Sequence, residues 1–357
     1  MKTLVIIGAG CSAGLAGLPA DTTFLRECQS DIEQAKFLHD AIRKLYGVMM
    51  TTFGTSWTGE RLETCWNEID ENYNNSKLVM KSSDIDMWFA DFVRLAKLES
   101  SHEFKYYSEY LYRDQISRTP NEYFFMFAGW ELRKIVVKKF SAILSETSRA
   151  KYEKLIRKIR GLAEGELIDL ISFNYDTLLE QVLENWCYVG FPSVGSIRNN
   201  KDKNCVIKPH GSVNWLHTSS EKIEPVHDPI PLDKIGYKNG KLIQHSIIGL
   251  VGNKFRHRDD DNVVYITYMK IMDSLEYAVS QAEQIIIIGY SFPLTDGHIK
   301  SVFIKGRPQK LKHIHVITKA QNNSELELLT EKISQLFQIN RSLVEPYSKG
   351  VEQWVGE

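Results

Sequence analysis

Apolar and polar positions follow two different rhythms along this chain. An unbroken apolar run, Leu4 to Ile7, reads as a buried strand and is followed closely by Gly8, Gly10, Gly14 and Gly17. From Phe24 the spacing turns helical. Asp31 to Tyr46, Thr58 to Tyr73 and Asp84 to Leu98 each carry apolar residues at helical intervals with charges between them. Thr119-Pro120 reads as an N-cap with proline at the first helical position, opening a long helix through Phe125, Trp130, Ile135 and Leu144. Ser148 to Arg160 is a further helix, stopped by Gly161 and Gly165. Strand signals then resume: Leu167 to Phe173, Cys205 to Lys208, Ile247 to Val251, Gln284 to Gly289 and Lys312 to Ile317. Helical patterns at Thr177 to Trp186, Tyr268 to Gln281 and Ser324 to Phe337 alternate with them, and a loop-rich stretch holds Pro225, Pro229, Pro231, Gly236 and Gly240. The QIIIIG run at 284–289 is typical of a central parallel strand. The expected architecture is therefore α/β, a doubly wound parallel sheet built from residues 1–30 and 166–357, with a large helical insertion at 31–165.

Composition narrows the function classes. The 357 residues carry a net charge of −1 with both signs mixed, so charge gives no argument for direct nucleic-acid binding. The five cysteines (Cys11, Cys28, Cys65, Cys187, Cys205) form no C-x-x-C pair, and their odd number argues against a disulfide framework. They read as reduced thiols of a cytoplasmic protein, and no metal site is expected. Lys2 and the short apolar run after it resemble an export signal, but Gly8 interrupts the run too early. No apolar stretch approaches the length of a membrane span. The aromatic density of the helical block, with Trp57, Trp66, Trp88 and Trp130 among others, fits helix–helix packing or a surface for self-association or a partner.

Candidate chemistry sits where the strands end. Gly8-Ala9-Gly10-Cys11-Ser12-Ala13 fits G-x-G-x-x-G/A, in which glycines let backbone amides approach a pyrophosphate at a helix N-terminus. Asn174-Tyr175-Asp176, Pro209-His210-Gly211 and Gly289-Tyr290-Ser291 follow three later strands. Ligands of open α/β sheets bind at such carboxyl ends, making the fold Rossmann-like in expectation. Each motif also has a plainer reading: Asn174 or Asp176 as a helix cap, His210 as a core histidine, Gly289 to Ser291 as a tight turn. An ordinary dehydrogenase requires a second strand directly after the first helix, ending in a ribose-binding acid. Asp31 and Glu33 lie near that distance, but the preceding LRECQS is not strand-like.

GAGCS, FNYD, PHG and GYS, in this order, resemble the sirtuin motif set. SFNYDTLLE, KPHGSVNWLH and IIIIGYSFPLTD are more closely similar to the sirtuin-like NAD hydrolases of prokaryotic antiviral defence. The resemblance covers residues 3–24 and 166–318 and leaves the helical block unmatched. The two zinc-binding C-x-x-C pairs of sirtuin deacylases are absent, and the first turn reads Gly17-Leu18-Pro19-Ala20-Asp21-Thr22, without their arginine. The spacing from Ser12 to Gly17 is one residue longer than usual. The resemblance implies NAD as substrate, bound through Gly8, Ala9, Gly10, Ser12 and Asp21 on one side and Gly289, Ser291 and Thr318 on the adenosine side. It implies catalytic roles for Asn174, Asp176 and His210. The expected reaction is NAD hydrolysis to ADP-ribose and nicotinamide, gated by homo-oligomer formation or by a hexameric DNA-translocating ATPase partner. The alternatives are a zinc-free NAD-dependent protein deacylase and a non-catalytic NAD or ADP-ribose sensor.

Nicotinamide leaves NAD as a neutral molecule and needs no general acid, so a pair of catalytic carboxylates is not required. What is required is a dry, orienting site and a nucleophile presented to an oxocarbenium-like transition state.

Overall fold

The computed structural model describes residues 2–19, 23–35, 38–39, 41, 65, 69, 120–141, 144–164, 167–190, 197, 200, 202–219, 222–225, 236–238, 241–247, 262–293 and 296–357. Most of the expected helices between 31 and 98 lie outside them, as does Asp21.

The elements in chain order are β1 (Thr3–Ile7), α1 (Ala9–Ala16), α2 (Phe24–Glu27), α3 (Gln29–Gln34), α4 (Pro120–Phe140), α5 (Glu146–Leu162), β2 (Ile168–Ser172), β3 (Trp186–Tyr188), β4 (Asn204–Ile207), β5 (Gly211–Ser219), β6 (Lys222–Pro225), β7 (Gly236–Lys238), β8 (Lys241–Ile247), α6 (Asn262–Gln281), β9 (Gln284–Ile288), α7 (Gly297–Lys305), β10 (His313–Ile317), α8 (Asn323–Phe337), β11 (Val344–Tyr347) and α9 (Val351–Gly356). The chain forms two compact units: residues 1–20, 139–230 and 244–357 in the first, 21–138 and 231–243 in the second.

The first unit is built on a seven-stranded sheet of order β11-β10-β9-β1-β2-β4-β3. Every pairing in it is parallel. The chain runs outward from β1 through β2 to the β4–β3 edge, then returns to the other side of β1 and runs outward again through β9, β10 and β11. That reversal makes the sheet doubly wound and places a switch point between β1 and β9. Val5 pairs with Leu170 on one side and Ile286 on the other. All five positions of β1, β2 and β9 are buried, which explains why these strands read as continuous apolar runs: both faces are covered.

The apolar stripe of α5, Tyr152, Leu155, Ile156 and Ile159, enters the same core as the strands. Ser145 caps this helix, its hydroxyl accepting from the Ser148 amide at 3.2 Å. The expected helix after Asp176 is instead a series of turns ending at β3. Asp176 Oδ1 accepts from the Leu178 amide at 3.1 Å, a local bond that competes with helix propagation. The stretch read as loop-rich holds β5, which pairs antiparallel with β6 and with Gln244–Ile247 of β8. In the second unit, β7 pairs with the first residues of β8, and Lys138 of α4 reaches Asp31 at 2.6 Å.

Candidate active site

The switch point is closed by backbone. The Gly8 amide donates to Ile288 O at 3.0 Å, and the Gly10 amide donates to Gly289 O at 3.1 Å. A Cβ on Gly8 would stand 2.6 Å from Gly289 O, and one on Gly10 would stand 3.0 Å from Gly289 Cα. Gly289 has φ +62°, and a Cβ there would meet the Cys11 amide nitrogen at 2.4 Å. These glycines are required first by each other: the β1–α1 turn and the end of β9 touch through bare backbone. Ala9 and Gly10 face outward at the N-terminus of α1, whose N-cap carries no side-chain bond.

Behind this turn lies a buried polar knot. Ser12 Oγ donates to Asp176 Oδ2 at 2.8 Å and accepts from Asn174 Nδ2 at 2.9 Å and from the Tyr152 hydroxyl at 3.1 Å. A hydroxyl has one proton and two lone pairs, so Ser12 is fully used inside the protein. The knot joins α1, α5 and the end of β2. Burial pushes the Asp176 carboxyl up from the usual carboxylate range, an effect that Lys208 opposes. Burial likewise pushes the neighbouring Cys11 thiol up, with the Asp176 charge adding to the effect. Asn174 Oδ1 is buried with no hydrogen-bond partner.

A second network starts at Lys208, which is completely buried after β4. Its amine donates to Asp176 O and to Glu180 Oε1, the latter at 2.9 Å. The Tyr188 hydroxyl donates to the same Glu180 oxygen at 3.2 Å and accepts from Asn214 Nδ2, also at 3.2 Å.

Two residues further on, His210 turns away from this network. The Gly211 amide donates to Lys208 O at 3.0 Å, closing a turn with Pro209 at its second position. His210 Nε2 lies 3.0 Å from Asp296 Oδ1, and the Tyr290 hydroxyl donates to Asp296 Oδ2 at 2.5 Å. His210 and Asp296 are 3% and 1% exposed. Phe173 meets the imidazole edge-on at 5.2 Å and stacks on Tyr290 at 4.1 Å. Tyr175 lies 6.4 Å from the imidazole. The two residues flanking Asn174 thus both pack on His210, which brings the ends of β2, β4 and β9 together.

The expected residues therefore fall into groups. Gly8, Gly10 and Gly289 form the closed turn; Ser12, Asn174 and Asp176 share the knot; His210 joins through the aromatic frame. Ser291 is exposed, with its carbonyl held by Lys332 Nζ at 2.8 Å. Thr318 is half-buried after β10, its amide donating to Tyr347 O at 3.0 Å and its carbonyl accepting from Gly350. Tyr152, Glu180, Lys208 and Asp296 were not anticipated. Two of them carried a signal: Lys208 directly precedes Pro209-His210-Gly211, and Asp296 ends the IIIIGYSFPLTD stretch. Tyr152 carried none, since it repeats the apolar stripe of α5. Among the described residues no group of three or more His, Cys, Asp or Glu is placed to hold a metal ion, and no described helix is long and apolar enough to cross a membrane.

Among the solved structures similar to the chain are two sirtuins. One is a Sir2 in complex with an inhibitor, 2'-O-acetyl-ADP-ribose and a deacetylated p53 peptide. It is 13% identical with a TM-score of 0.38, over 99% of this chain and 91% of that one. The other, described under the structural basis of sirtuin substrate affinity, is 10% identical with a TM-score of 0.40, over 100% of this chain and 92% of that one. At that distance the fold is read from the strand order itself. No protein-family model matches the chain, and no curated protein does.

Proposed function

We propose that this protein is a sirtuin-like NAD glycohydrolase: NAD and water give ADP-ribose, nicotinamide and a proton. The observation that carries this reading is Asn174. Its amide nitrogen is held by Ser12 while its buried carbonyl oxygen has no partner, and the residues on either side of it pack on His210. A buried acceptor without a donor is costly, and a ribose hydroxyl or a water would satisfy it. His210, neutral, would take the proton from that hydroxyl or water. Asp176 accepts from Ser12 on one oxygen and from the Leu178 amide on the other, and a carboxylate keeps further lone pairs with which it would accept from the nicotinamide carboxamide. The exposed N-terminus of α1 at Ala9 and Gly10 suits the pyrophosphate through its unscreened dipole. Ser12 then acts by holding Asn174 and Asp176, and Ser291 and Thr318 take the adenosine side.

NAD depletion during phage infection, and a gate made by self-assembly through residues 31–165 or by a hexameric DNA-translocating ATPase, follow from the motif resemblance alone. The deciding experiment incubates the purified protein with NAD, alone and with the product of the neighbouring gene, and follows nicotinamide. Release without any acyl-peptide is the expected result. Release only with an acyl-lysine peptide would make it a deacylase, and NAD binding without product in any assembly state would make it a sensor.

A further inference from the structure

We propose that Asp296 is the positioning residue of His210 and that Tyr290 sets how strongly it holds the ring. Asp296 immediately precedes α7, where an aspartate is expected to cap the helix, yet its side chain makes no capping bond. Both carboxylate oxygens instead turn inward, one to His210 Nε2 at 3.0 Å and one to the Tyr290 hydroxyl at 2.5 Å. A carboxylate on one ring nitrogen fixes the imidazole's orientation, keeps the proton of the neutral ring on that nitrogen and stabilises the imidazolium. Here it puts the basic lone pair on Nδ1. Tyr290 is itself fixed by its stack on Phe173, whose ring also touches His210. Among the described residues, the charged and titratable groups around the pair include Asp296 and Tyr290 from the segment after β9, Tyr175 after β2, and Tyr268 on α6, whose phenol burial and the Asp296 charge push up. The arrangement spans the switch point, tying the end of β4 to the loop after β9.

The inference rests on the hydrolase reading only for its turnover arm; its main readout does not need activity. Histidine-labelled full-length protein is titrated by NMR, with His210 assigned by its loss in His210→Ala. Asp296→Asn should lower the His210 pKa by about one unit or more, because an attracting charge is removed. Tyr290→Phe keeps the ring stack but leaves the carboxylate less satisfied, and should raise it. Opposite shifts are a signature that general loosening of the core does not produce. In the turnover arm, Asp296→Asn should lower kcat for nicotinamide release about 10- to 100-fold with KM little changed. It should add little in a His210→Ala background. An unmoved His210 titration in folded Asp296→Asn would overturn the pairing even if wild-type protein cleaves NAD. Shifted titrations in a protein that never releases nicotinamide would support the pairing and reject the hydrolase. Should Asp296→Asn fail to fold, Tyr290→Phe decides, and an unchanged His210 titration there overturns the proposal.

Discussion

Lys208 and His210 stand two residues apart at the end of one strand, and both are almost wholly buried in polar company. Their surroundings differ in reach. The Lys208 network joins the turns after β2 to β3, on the same side of β1 in the sheet, and to β5. The His210 pair crosses to the other side, where Asp296 and Tyr290 follow β9. Burial alone therefore does not tell a structural ion pair from a site. What separates them is that one network stitches a half of the sheet together and the other bridges the switch point, where a doubly wound sheet opens to ligands.

The largest effect should come from the bridging side. Asn174→Ala or His210→Ala should lower nicotinamide release about a hundredfold or more, the usual range for a positioned general base, while the fold and much of the NAD affinity remain. A turnover assay beside calorimetric NAD binding on the same preparations measures both. Near-normal turnover in either variant would dissolve the distinction between the two networks.

On the stitching side the loss should appear in stability. Lys208→Met strands the Glu180 carboxylate in the interior and should cost about 3–5 kcal/mol in denaturant unfolding. Replacing both partners, Lys208→Met with Glu180→Leu, should recover much of that, because an apolar pair removes the uncompensated charge. If the double variant is no better than the single, the network does more than hold the fold.

The glycine turn sharpens the comparison at smaller scale. Gly8→Ala puts a Cβ 2.6 Å from Gly289 O, and backbone cannot move aside as a side-chain tip can. It should cost about 1–3 kcal/mol. Gly10→Ala, at 3.0 Å, should cost less and yet weaken NAD binding more, since Gly10 is the exposed residue of the two. Equal NAD affinity in folded Gly10→Ala and wild type would remove the pyrophosphate from this turn.

Much of this was legible in the sequence, for particular reasons. β1, β2 and β9 are buried on both faces, so Leu4–Ile7 and the QIIIIG run announce themselves without any partner being known. The strand-end motifs follow from those strands. The knot around Ser12 was not legible, because it brings Tyr152 from 140 residues away to a hydroxyl that the motif assigns to a ligand. Nor does the helical spacing of 148–160 say which core its stripe enters; that is decided by tertiary packing on the sheet. The turns after Asp176 were missed because Thr177 to Trp186 has helical periodicity. Periodicity does not register a side chain that captures the Leu178 amide. Asp296 ends the IIIIGYSFPLTD stretch, but nothing in that spacing shows that its carboxylate turns to His210.

The smallest effect tests whether Asp176 belongs to the site or to the stitching, since it touches both. Its side chain binds Ser12, and its carbonyl accepts from Lys208. Burial raises its pKa, with Lys208 pulling the other way. A raised carboxyl binds its proton more tightly in the folded state, so its contribution to stability is fully present below the ordinary carboxylate pKa, about 3.9, and is lost as pH rises through the folded value. Asp176→Asn cannot ionise. The difference in unfolding free energy between wild type and variant should therefore shift in favour of the variant across that window and level off above it. Parallel denaturant titrations at several pH values read this directly, and other buried acids such as Asp169 cancel because both proteins carry them. In Lys208→Met the same carboxyl loses its opposing cation, so the window should extend to higher pH. If Asp176 also accepts from the nicotinamide carboxamide, Asp176→Asn should raise KM for NAD more than it lowers kcat, since that contact exists before the bond breaks. An unchanged KM with the predicted stability curve would place Asp176 with Lys208, as part of the frame.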